Sequence, residues 1–179
     1  MRTTFWLRGP DMKTGIAILS AMAGIWAAWG LYAAHAGRWA YFGGVIVALV
    51  PMLLMARRRF APRTADEARR VGRLVGLATL FEAAAIIGGI QILGHVGRMD
   101  LVASLIAAAV GLHFIPLAKW MPLPKYYVCA IALVATACAG VVVPAEYRTP
   151  FVAAAASAVL WVTALSQIFA APRLSPPGD

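Results

Sequence analysis

The sequence predicts an all-α integral membrane protein, a bundle of about six transmembrane helices arranged as three helical hairpins. Three observations carry this prediction. Hydrophobic residues make up 62% of the 179 and charged residues only 13%, with a mean hydropathy of +0.79, whereas soluble domains run near ~25% charged. The apolar residues fall into six stretches close to the ~20 residues that one helix needs to cross a hydrocarbon core. The basic residues gather at the ends of those stretches, mostly on alternate sides.

The first span runs from Thr14 to Ala34, behind Arg2, Arg8 and Lys13. Ala34-His35-Ala36 has the form of a signal-peptide cleavage site. The apolar run exceeds the ~7 to 15 residues of a signal peptide's apolar region, however, and a second span follows at once, so a retained helix is expected. That second span, Tyr41 to Met55, comes after a turn marked by Arg38 and Trp39 and carries Pro51 near its end. The long polar segment 56–73 holds Arg57, Arg58, Arg59, Arg63, Arg69, Arg70 and Arg73 against one aspartate and one glutamate. Thr64, three residues before Glu67, has the pattern of a capping box and predicts a short surface helix leading into the third span.

The third span, Leu74 to Leu93, contains Glu82, and Gly94 to Arg98 form the next turn. The fourth, Leu101 to Ala118, contains His113 and Pro116; a proline-rich connection from Lys119 to Lys125 leads to the fifth, Tyr126 to Val143. A turn from Pro144 to Pro150 precedes the sixth, Phe151 to Ala171. This leaves 1–13 as an amino-terminal segment, 14–171 as one membrane domain and 172–179 as a polar tail expected to be disordered.

With six spans, thirteen of the sixteen lysines and arginines fall on one side and only Arg38, Arg98 and Arg148 on the other. The positive-inside rule then places both termini and the 56–73 connection in the cytoplasm, with the connection's seven arginines touching anionic phospholipid headgroups of the bilayer. Arginine outnumbers lysine thirteen to three and alanine is abundant, a composition that suggests a high-GC bacterium and hence its inner membrane. The charge of +9 is accounted for by these flanks. Nucleic-acid binding is not expected, because no groove or aromatic platform has a place to sit. Homo-oligomerisation is compatible with such a bundle. Cys129 and Cys138 would lie ~13 Å apart along one helix axis, too far to pair, and no spacing of metal ligands is present. Neither a metal nor another cofactor is expected.

Leu31 to Gly44 and Gln91 to Ser104 both place H-x-G-R at a turn, His35 with Arg38 and His95 with Arg98. Duplication of a hairpin explains this, and so does convergence on glycine and one interfacial arginine. Small residues spaced by four, Ala84/Gly88, Ala85/Gly89, Ala103/Ala107/Gly111 and Ala153/Ser157, predict close helix contacts.

Glu82 is the first candidate for function, since an acid in mid-span costs ~2.5 to 3.5 kcal/mol on insertion scales and so faces protein or water. His113 falls at a similar depth on the next, antiparallel span and titrates nearest neutrality; Pro116 leaves the carbonyl of Leu112 without its helical donor. Gln91 is the third candidate for a substrate or proton site. No nucleophile elbow, P-loop, dinucleotide fingerprint or zinc motif occurs, and nothing in the chain asks for an enzyme. The expected function is a small transporter or channel-like protein for a proton, ion or small solute using Glu82. The alternatives are a structural or regulatory membrane subunit without substrate and a membrane-embedded lipid-modifying enzyme.

Overall fold

A computed structural model describes residues 12–57, 65–121 and 123–170. Within them lie six α-helices, α1 (Met12–Ala33), α2 (Trp39–Ala56), α3 (Ala65–His95), α4 (Val102–Trp120), α5 (Pro124–Val142) and α6 (Ala145–Ala170), with one 3-10 turn at Met99–Leu101 before α4. Each helix is long and apolar enough to cross a membrane, as in a multi-pass membrane protein, and no strand occurs among the described residues. Arg58, Arg59 and Arg63, the capping threonine Thr64 and the tail lie outside them; Arg57 is an exposed residue just past α2.

The expected hairpins are present: α1 packs on α2, α3 on α4 and α5 on α6. Helix α6 is central, packing also on α1, α4 and α2, while α4 packs extensively on α5. No packing interface joins α1 to α3, so α3 stands at the edge of the bundle against α4. Cores of Ile16, Leu133, Val152, Leu160 and Ile168, all fully buried, fill the space between α1, α5 and α6.

Backbones approach closely where side chains are small. A Cβ added to Gly24 would come 2.6 Å from the Gly44 carbonyl oxygen and 2.7 Å from the Ala48 Cβ. Gly24 and Gly44 thus bring the α1 and α2 backbones together, a small-residue pair that the sequence spacing did not single out. The Ala103/Ala107/Gly111 and Ala153/Ser157 faces are buried as expected. On α3 the expectation fails: Ala84, Ala85 and Gly88 are exposed, because α3 has a neighbour on one side only, and just Gly89 meets a partner, Leu105.

Two boundaries differ from the sequence reading. The short surface helix and the third span are one continuous helix, since nothing between Ala65 and Leu74 breaks it; Arg69, Arg70 and Arg73 therefore ride on α3 itself. Helix α6 starts at Ala145, with Pro150 inside it. As a result Arg148 is no residue of an outer turn but a buried one. Its Nε donates to the Gly140 carbonyl at 2.8 Å, its amino nitrogens donate to the carbonyls of Val143 (2.8 Å) and Val141 (3.2 Å) and to the Asp100 carboxylate. One guanidinium thus caps the end of α5 and ties it to the turn before α4.

The two H-x-G-R turns are also built differently. In both, an amide reaches back five residues, from Ala36 to the Leu31 carbonyl and from Arg98 to the Leu93 carbonyl, the bond of a Schellman stop. The left-handed residue that permits it is His35 (φ 60°) in the first turn and Gly97 (φ 69°) in the second. The motif glycines Gly37 (φ 56°) and Gly97 (φ 69°) are both left-handed, but the helix stop falls at the histidine in one turn and at the glycine in the other.

Candidate functional site

The helix ends carrying Lys13, Arg69 to Arg73, Lys119 and Lys125 share one end of the bundle, called here the basic end. From it a cavity of about 610 Å³ runs inward between α1, α3 and α4, floored by Leu160 and Gln167 of α6 and Tyr126 of α5. On α1 its wall extends from Thr14 to Met22, on α3 from Val71 to Ile86 and on α4 from Val110 to Met121. The cavity lies where α3, packed on α4, makes no extensive interface with α1.

Its wall is apolar apart from a few groups in two places. Near the basic end are Thr14, Tyr126 and Gln167, the last more than nine-tenths buried with its Nε2 lacking a hydrogen-bond partner. Farther in are Thr79, Glu82 and His113. Glu82 sits at the midpoint of the apolar segment Arg69–His95 of α3. The His113 Nδ1 lies 3.1 Å from Glu82 Oε2, and their side chains are 10% and 16% exposed. The contact has the distance of an ion pair but not the alignment of a hydrogen bond, and Nδ1 has no other partner. A small rotation of the ring, or a polar group inserted beside it, completes its bonding.

The pair forms because α3 and α4 run antiparallel through a short turn, which brings residues equally far from that turn to one level; Glu82 and His113 are thirteen and eleven residues from its ends at His95 and Val102. A carboxyl and an imidazole in contact hold one shared proton with no net charge, gain a second to become cationic, or lose the one to become anionic. A buried pair tolerates the neutral combination best, because an unpaired charge is strongly penalised there.

Of the three sequence candidates, Glu82 and His113 come together on the cavity wall. Gln91 does not join them: it is exposed on α3, more than two helical turns beyond Glu82 and outside the cavity wall. Helix α4 continues past Pro116 to Trp120. Gln167 and Thr79, ordinary polar residues of apolar spans by sequence, line the site. Their fellows serve packing instead, Ser157 donating to the Ala23 carbonyl across helices and Thr163 to its own helix at Val159. The cysteines are both free, Cys129 buried and Cys138 exposed. Among the described residues no cluster of three metal-ligating side chains occurs.

Compared with known protein families, curated proteins and solved structures, the chain matches none.

Proposed function

We propose that this chain is a multi-pass protein of a bacterial inner membrane, with both termini in the cytoplasm, that moves a small solute or ion in a proton-linked manner through the Glu82–His113 pair. The observation that carries the reading is the placement of a mid-span carboxylate against an imidazole on the wall of a cavity that opens toward the basic end. By the positive-inside rule that end is cytoplasmic, so the cavity faces inward. An acid so placed commonly marks a proton or substrate path, and an imidazole beside it can accept or donate a proton through its ring nitrogens. A solute that displaces the shared proton, or is carried with it, exchanges the neutral pair for a charged one and so biases α3 relative to α4. Helix α3, held on one face only, is the element free to respond.

One observation favours a structural reading as well: the pair is itself a polar tie between α3 and α4, the helix on which α3 depends. Vesicles containing the purified protein and a trapped pH indicator separate the two. After an acid pulse, wild-type vesicles should equilibrate faster than protein-free ones, whereas equal rates would leave the pair with a packing role. The orientation has its own test. Reporters fused after Arg63 or at the tail should read cytoplasmic, and reporters at Gly37 or Gly97 should read external; an external signal at Arg63 would overturn the assignment.

A further inference from the structure

We infer that the cavity holds one acyl chain of an anionic phospholipid from the cytoplasmic leaflet, its headgroup seated on a collar of lysines and arginines at the cavity mouth. The inference rests on the proposed orientation and names an occupant for the cavity of the proposed function. Four observations lead to it. Along α3 the wall from Val71 to Ile86 is ~22 Å long at 1.5 Å per residue, so the space is an elongated slot, and its volume of about 610 Å³ falls within the ~300 to 1,000 Å³ of small-molecule sites. The slot is apolar between its two polar places. Because α1 and α3 share no extensive interface, a lipid chain would enter the slot between them without leaving the bilayer.

The mouth supplies the fourth observation, which fixes the sign of the headgroup. Exposed Lys13 precedes the wall residue Thr14, exposed Arg70 and Arg73 bracket Val71 and Gly72, exposed Lys119 lies between Leu117 and Met121, and Lys125 precedes Tyr126. Five cations from four helices therefore stand next to wall residues in the chain, Lys125 also donating to the Ser166 carbonyl at 2.5 Å. Just inside them the unpartnered Nε2 of Gln167 is a donor waiting for an acceptor such as a phosphate or ester oxygen. A soluble anion would leave the apolar slot unfilled and a neutral lipid would leave the collar unused; an anionic phospholipid satisfies both.

The test is photo-crosslinking of the purified full chain in phosphatidylcholine vesicles doped with phosphatidylglycerol that carries a diazirine on one acyl chain. Label should appear in peptides 14–22 and 71–86 and be competed by unlabelled phosphatidylglycerol but not by added phosphatidylcholine. Gly72→Leu is the plug variant. No atom lies within 4 Å of where its Cβ would be, and leucine is the better helix former, so the protein should fold while labelling drops several-fold. The double change Arg70→Gln with Arg73→Gln should cut the preference for phosphatidylglycerol by about thirtyfold, if both charges contribute as basic residues near an anionic surface do. Labelling equal under both competitors, or unaffected by Gly72→Leu, would overturn the inference and mark the chain as bulk lipid filling a groove. The measurement uses no gradient. Specific label in a protein that moves no protons defeats the proposed function alone, and proton flux without specific label defeats this inference alone.

Discussion

Replacing Arg148 by alanine should destabilise the bundle by ~3 to 5 kcal/mol, the usual cost of removing one partner from a buried ion pair. The change leaves the Asp100 carboxylate with only the exposed Arg98 guanidinium and takes the shared donor from the carbonyls of Gly140, Val141 and Val143. Thermal unfolding in detergent should show the midpoint falling by roughly 10 °C, given ~2 to 4 °C per kcal/mol for a chain of this size. Arg148→Lys should recover little, because one ammonium lacks the planar fork that reaches several acceptors at once. Arg98 also approaches Asp100, at 3.2 Å, but its side chain is 51% exposed, so Arg98→Ala should be nearly silent. A drop no larger for Arg148→Ala than for Arg98→Ala would mean that the α5 end is held by other contacts.

The second large effect concerns Glu82. Glu82→Gln keeps the size and polarity of the side chain but removes titration. Proton-linked flux should fall to the level of protein-free vesicles, with thermal stability nearly unchanged. Glu82→Leu should lose flux too, and in addition destabilise by ~1 to 3 kcal/mol, since the buried His113 Nδ1 then faces no acceptor at all. His113→Gln should reduce flux if the imidazole shares the proton. Should Glu82→Gln abolish flux while His113→Gln leaves it intact, the carboxylate acts alone. If Glu82→Gln changes neither flux nor stability, the pair is a packing contact and the transport reading fails.

Much of the architecture was legible because membrane spanning imposes length, apolarity and flank charge, and all three are written locally in the chain. The level of the Glu82–His113 pair was legible for the same reason, since a short turn between antiparallel spans turns sequence distance into depth. What escaped the sequence depends on non-local geometry. Arg148 reads as an outer-turn arginine until the ends of α5 and α6 are known, and its carboxylate partner lies forty-eight residues earlier. The cavity is a gap between α1 and α3, and no residue type announces where two helices fail to meet. Gln91 resembles Glu82 as a polar residue in an apolar span, but it lies on the exposed side of a helix with one neighbour. Ala84, Ala85 and Gly88 show the same effect, small residues whose spacing permits a contact that no partner makes.

If Glu82 is a protonatable carboxyl reached through the cavity, an apolar carbodiimide should find it. Such a reagent enters the bilayer and reacts with protonated carboxyls in apolar surroundings. Applied to the protein in vesicles and followed by peptide mass mapping, it should modify Glu82, less as pH rises, and much less in Gly72→Leu, where the slot is obstructed. An unmodified Glu82 at every pH, in protein whose exposed Glu146 reacts with a water-soluble carbodiimide, would contradict the account and leave the carboxylate sealed in a structural contact with His113.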